Sequence, residues 1–244
     1  MLKYEELKKR PKDLLAATGL TVDEFEELLA IFTETYETRF AMEQTVDGKA
    51  RQRRAGGGGK ATLRTAKDKL LFILVYEKTY PLQTMLGLQF GLSQGRTNLW
   101  IHRLLPVVRQ ALAQMKLTPE REGYAVANSE LAVEGGADLI IDGTERRRQR
   151  SQDEIQQQAQ YSGKKKTHTD KNLVLVNCHS QKVVYLSATQ PGKKHDKKLA
   201  DEAMIVYPPA TTLGKDTGFQ GYEPPDVVSW QPKKAQRPGI NRRG

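Results

Sequence analysis

An α/β fold, with an all-α region first and a mixed β-sheet domain after it, follows from three features of the 244-residue sequence. Apolar residues recur at helical spacing as far as Leu117. The period then fades through Thr118-Pro119. From Ala137 short β-branched runs alternate with one helical stretch. The length suits two modest domains, and the predicted division is residues 1–125 and 126–244.

Hydrophobic residues make up 38% of the chain and aromatics 7%, enough for packed cores beneath polar surfaces. No run of eighteen apolar residues exists and the first residues lack a signal-peptide pattern, so a cytoplasmic protein without membrane contact is expected. Cys178 is the single cysteine, which excludes an intramolecular disulfide and a cysteine-built zinc site. Its β-branched neighbours predict a buried thiol in a strand. Net charge is +10, and it is uneven: Lys and Arg number 7 against 11 acids in residues 1–50, 13 against 4 in 51–125, and 19 against 14 in 126–244. A basic middle and C-terminal half attract phosphate polyanions.

The first strong element is a helix over 21–38. Thr21 and Glu24 have capping-box spacing, and Phe25, Leu28, Leu29, Ile31, Phe32 and Tyr36 repeat along one face. Residues 47–60, with Arg51, Arg53, Arg54 and four glycines, read as a mobile basic loop. Lys67–Tyr80 then carries Leu70, Leu71, Leu74 and Val75, Pro81 suits a first helical position, and Leu82, Met85 and Leu86 extend the apolar stripe. Gly91 makes a turn, Ser93 caps a further helix, and Leu99, Trp100, Leu104 and Leu105 give that helix its buried face. This is a helix-turn-helix pattern over about residues 65–106. Its last helix would present Gln94, Arg96, Thr97 and Asn98 to base edges of double-stranded DNA, with Arg103 nearer phosphates.

In the second region Asp138–Asp142, Asn172–Cys178 and Lys182–Ala188 read as strands, Asp196–Met204 as a helix, and Thr211–Leu213 and Val227–Trp230 as further strands. Asp142, before Gly143, and Asp216, before Thr217-Gly218, each end a strand beside glycine. Carboxylates on neighbouring strands can share a hard divalent cation, whose chemistry suits phosphodiesters. Arg146, Arg148, Lys164, Lys165, Lys166 and His168 lie between these acids in sequence and are candidates for phosphate contact.

Four ordered segments, Ile141-Asp142-Gly143-Thr144-Glu145, Tyr161 to Thr169, Pro191 to Leu199 with His195-Asp196, and Asp216-Thr217-Gly218-Phe219-Gln220-Gly221, resemble the DDE-superfamily transposases of bacterial insertion sequences. The resemblance implies a ribonuclease-H-like catalytic domain in which Asp142 and Asp216 are the first two catalytic carboxylates. They would hold Mg²⁺ or Mn²⁺ in a two-metal site, with Asp196 in support or as a helix N-cap. It implies cleavage at element ends followed by strand transfer, in a homo-oligomeric complex. The family's third residue is a glutamate on a helix after the fifth strand. Here the acids after Asp216 are Glu223 and Asp226, both ahead of that strand. The expectation is therefore an incomplete domain, truncated before that glutamate, with a separately encoded C-terminal portion as one source of the missing residue. The alternative is a catalytically inactive, transposase-derived DNA-binding protein that represses transposition.

Overall fold

The computed structural model describes residues 1–40 and 62–232. They form two compact units that divide between Leu117 and Thr118. The expected boundary after residue 125 falls inside the second unit, because the 3-10 turn Gly123–Asn128 buries Val126 in that unit's core. The basic loop expected over 47–60 lies outside the described residues.

In the first unit α1 (Tyr4–Lys8), α2 (Pro11–Thr18) and α3 (Val22–Phe40) precede α4 (Ala66–Thr79), α5 (Gln83–Phe90) and α6 (Gln94–Gln114). Their ends have local causes. Pro11 opens α2, and Gly19 closes it in the left-handed region at φ 78°. The Thr21 amide donates to Glu24, whose own amide donates back to Thr21 Oγ1. Thr65 and Asp68 make the same reciprocal cap for α4. Phe25, Phe32, Leu70, Phe72, Phe90 and Leu104 are fully buried where these helices meet, each contributing roughly 1.5–3 kcal/mol.

Helices α4, α5 and α6 form the expected helix-turn-helix. Gly91 ends α5 at φ 66°, and Ser93 Oγ caps α6 by accepting from the Arg96 amide. Gly87 is the point of closest approach: a Cβ there would lie 2.5 Å from the Leu92 carbonyl oxygen and 2.8 Å from Thr97 Oγ1. Pro81 does not open α5. Leu82 is the N-cap at φ −55° and ψ 135°, outside the helical region, and Leu86 and Phe90, four residues apart, face the core. Leu82, Met85 and Leu99, expected inside, are exposed.

The second unit contains α7 (Glu130–Val133), β1 (Asp138–Arg147), α8 (Glu154–Gln160), β2 (Tyr161–Ser162), β3 (Thr167–Asn177), β4 (Val183–Leu186), β5 (Gln190–Pro191), α9 (Asp196–Ala203), β6 (Thr212–Lys215) and β7 (Val228–Trp230). The strands make one seven-stranded mixed sheet. β1 runs antiparallel to β3 and parallel to β6, and β6 is parallel to β7. β2, β5 and β4 pair with successive stretches of β3. Parallel neighbours require a crossover, and α9 lies on the connection that leads to β6. This is a ribonuclease-H-like α/β arrangement, with Leu139, Ile141, Leu173, Leu175, Leu199, Leu213 and Phe219 in its core. α8, β2 and β5 have no counterpart in the sequence pattern.

Cys178 is exposed rather than buried in a strand. β3 stops at Asn177, whose Oδ1 accepts from the amides of His179 and Ser180. That Asx-type turn redirects the chain after Cys178, whose amide still donates to the Asp138 carbonyl at 2.8 Å while the residue itself is exposed.

Candidate active site

Asp142 does not end its strand. β1 continues to Arg147 against β3, but its pairing with β6 stops at Ile141↔Lys215. Asp142 and Asp216 are the next residues on each side. In-register positions of parallel strands about 4.8 Å apart share a face, and Asp216 is still extended (φ −81°, ψ 177°). The two acids thus leave the backbone at neighbouring positions, at the carboxyl end of β6. In open α/β sheets this is where ligands bind. Both are exposed. Asp142 Oδ1 accepts from the Gly143 amide at 2.8 Å, and Asp216 Oδ1 accepts from the Gly218 amide at 2.8 Å.

Asp196 follows the N-cap His195, whose side chain makes no cap bond, as the first residue of α9. It lies against the sheet. A Cβ on Gly143 would sit 2.3 Å from Asp196 Oδ1, so only glycine fits there. A Cβ on Gly218 would lie 2.8 Å from Asp196 Oδ2 and 3.0 Å from Asp216 Oδ1, so the two carboxylates converge on that glycine. Asp142, one residue before Gly143, points to the opposite face of β1 from Gly143 and Glu145.

Beneath this point lies a buried ionic group that sequence reasoning missed. Lys171 Nζ is 3.0 Å from Asp196 Oδ1 and 3.2 Å from Glu145 Oε1, and it donates to the Lys194 carbonyl at 2.9 Å. The side chains of Lys171 and Glu145 are 7% and 6% exposed, and that of Asp196 16%. Burial would raise the Glu145 carboxyl, but hydrogen bonds from Ser162, Lys171 and Thr169 outweigh it and hold the group below its ordinary range. Burial likewise works against charge on Lys171, while Asp196 first and Glu145 second keep the ammonium above its ordinary value. The signal was present: Thr169, Lys171, Leu173 and Leu175 alternate on one face of β3, which places Lys171 inward.

The basic candidates divide. Arg146 donates to Asn172 Oδ1 at 2.8 Å, and Arg148 pairs with Asp170 at 2.8 Å, so both are engaged within the unit. Lys164, Lys165 and Lys166 are exposed on the turn between β2 and β3, and His168 packs edge-on to Tyr161. On α6, Arg96 is exposed and Asn98 half-buried, Gln94 donates to Gln83, and Arg103 lies over the Trp100 ring. Thr97, expected to face base edges, does not. It is fully buried, with Oγ1 donating to the Ser93 carbonyl at 3.0 Å, because the contact at Gly87 turns it inward and away from any base edge.

Carboxylate oxygens on Asp142 and Asp216 are the right donor class for a hard divalent ion. Among the described residues, however, no three His, Cys, Asp or Glu side chains form a group able to hold a metal. Glu223, the nearest later acid, instead pairs with Lys215 Nζ at 2.7 Å. No helix among the described residues is long and apolar enough to cross a membrane.

Comparison with known proteins agrees with both units. Residues 62–114 match the family described as the helix-turn-helix of DDE superfamily endonuclease, and residues 141–238 match DDE superfamily endonuclease. No curated protein and no solved structure matches the chain. The first match spans α4, α5 and α6, and the second runs from Ile141, one residue before Asp142, through Asp196 and Asp216. The chain belongs to the DDE superfamily of transposase endonucleases.

Proposed function

We propose that this chain binds the ends of a bacterial insertion sequence and takes part in divalent-metal-dependent cleavage and strand transfer of double-stranded DNA. The observation that carries this reading is the β1–β6 register, whose last pair, Ile141↔Lys215, immediately precedes Asp142 on one strand and Asp216 on the other. Asp142 and Asp216 are the residues that would hold Mg²⁺ or Mn²⁺. Such an ion, when bound, supplies Lewis acidity for the attacking and leaving oxygens of a phosphodiester. The rest falls to the chain. β1, clamped along its length by β3, fixes Asp142 on a rigid element. Lys171 holds Asp196 against Gly143 and Gly218, so the turn bearing Asp216 rests on a filled, neutralised surface. Lys164, Lys165 and Lys166 draw phosphates toward this end of the sheet. Arg96, with Asn98 and Gln94, reads base edges, and the working assembly is a homo-oligomer that pairs two ends.

The test is Mg²⁺-dependent nicking of element-end duplexes by the purified chain. Asp142→Asn and Asp216→Asn are each expected to abolish it while leaving duplex affinity unchanged. Nicking retained in either variant would overturn the assignment.

A second reading, a non-catalytic DNA-binding repressor derived from a transposase, is favoured by one observation: among the described residues no three His, Cys, Asp or Glu side chains form a group able to hold a metal. Site-specific binding by a wild-type chain that does not nick under any divalent ion would select it.

A further inference from the structure

Beside the start of β3 an open cavity of about 520 Å³ is lined by Arg150, Gln157, Gln158, Tyr161, His168 and Lys193. Tyr161 and His168 face each other in the β2–β3 register, with ring centroids 5.6 Å apart and planes at 72°. An edge-to-face pair uses at most one face of either ring, and Tyr161 is 45% exposed. Arg150 Nε donates to Gln157 Oε1 at 2.8 Å, which fixes both side chains and engages one of the five guanidinium donors. Lys193 and Gln158 are exposed, and the Lys193 amide is anchored on the Ala159 carbonyl at 3.2 Å.

An aromatic platform, two amide side chains with donors and acceptors, and two flanking cations together match the parts of one nucleotide. The ring stacks on the base, the amides meet its edge, and Arg150 and Lys193 meet its phosphates. A paired base, stacked on both sides in a duplex, cannot present a face to Tyr161. We propose that this cavity takes one unpaired nucleotide of a DNA strand engaged by the catalytic unit, an inference that rests on the DNA-processing reading above. His168 lies opposite Arg148, which follows the last residue of β1 and is six residues from Asp142, since the Arg148 amide donates to the His168 carbonyl. At about 3.3 Å per residue this is roughly 20 Å, or about six base-pair steps of about 3.4 Å each. The unpaired nucleotide therefore lies outside the reacting phosphodiester, on flanking DNA.

The experiment compares equilibrium binding of the full chain to a fluorescently labelled duplex containing a short single-stranded gap and to its fully paired counterpart. Wild type is expected to prefer the gapped duplex. Tyr161→Ala is expected to weaken gapped binding by about fivefold or more, the lower end of one base–aromatic stack, and to leave paired binding unchanged. Tyr161→Phe retains the preference. Lys193→Glu, on an exposed side chain, is expected to penalise the gapped duplex more than the paired one without depending on how Tyr161→Ala folds. Equal wild-type affinity for both duplexes, or equal losses on both in the two variants, overturns the cavity assignment and leaves the DNA-processing reading standing. Failure of wild type to bind either duplex overturns both.

Discussion

Lys171 Nζ donates to Asp196 Oδ1 across 3.0 Å at a position where the sheet, α9 and the turn after β6 come together. The same ammonium neutralises Glu145 on β1, so a single cation serves two carboxylates that have little water to solvate them. Lys171→Met leaves both acids uncompensated. It is expected to lower unfolding stability by about 3–5 kcal/mol, read by urea denaturation. Adding Glu145→Gln and Asp196→Asn to that variant should recover much of the loss. No recovery would mean that packing of the lysine stem, and not its charge, holds the site.

Gly87→Ala tests the helix-turn-helix junction. Alanine favours a helix interior over glycine by about 1 kcal/mol, yet the new methyl would meet the Leu92 carbonyl oxygen at 2.5 Å. Backbone cannot yield as a side-chain tip can, so a net loss of about 1–3 kcal/mol is expected, seen as a lower melting temperature.

Arg96 and Thr97 are adjacent in sequence but opposite in exposure. Arg96→Ala is expected to cost about 1–3 kcal/mol on element-end duplexes and less on random DNA. Thr97→Ala removes a buried hydrogen bond worth about 1 kcal/mol of stability without changing sequence preference. Fluorescence anisotropy on the two duplexes, with a thermal melt of each variant, separates the roles.

At the other end of β1, the Thr212 hydroxyl and then His179 hold the Asp138 carboxyl below its ordinary value of 3.8. A depressed folded value means that the contribution is present above 3.8 and is lost as pH falls through the folded value. Stability is therefore expected to decline below about pH 4, and Asp138→Asn to flatten that decline. An unchanged acid limb in denaturant titrations from neutral to acidic pH would show that other carboxylates set it.

Much of the architecture was readable because it rests on periodicity and caps. Thr21, Ser93 and Gly91 mark helix ends by local chemistry, and β-branched apolar runs mark β3 and β4. Asp142 and Asp216 could be singled out for the same reason, since a glycine follows each within two residues, whereas Asp196 stood out through the family resemblance. Long-range facts were not readable. The extension of β1 to Arg147 depends on pairing with Asp170 and Thr169, which no local pattern encodes. The burial of Thr97 depends on a glycine ten residues earlier, and the capture of Asp196 by Lys171 on two strands and a helix meeting. Short elements such as β2 and β5 carry too few residues to show a period.

β1 outruns β6 by six residues, Asp142 to Arg147. With the backbone groups of even-numbered residues turned to β3, the amides and carbonyls of Glu145 and Arg147 face a side with no strand partner among the described residues. Such a bare ladder is a template on which another copy could zip. Here the template carries Arg146, Arg147 and Arg148, and antiparallel self-pairing would set arginine opposite arginine, which is unfavourable. The arginines at this end of the sheet thus disfavour antiparallel self-pairing in the registers centred on Arg146 or Arg147.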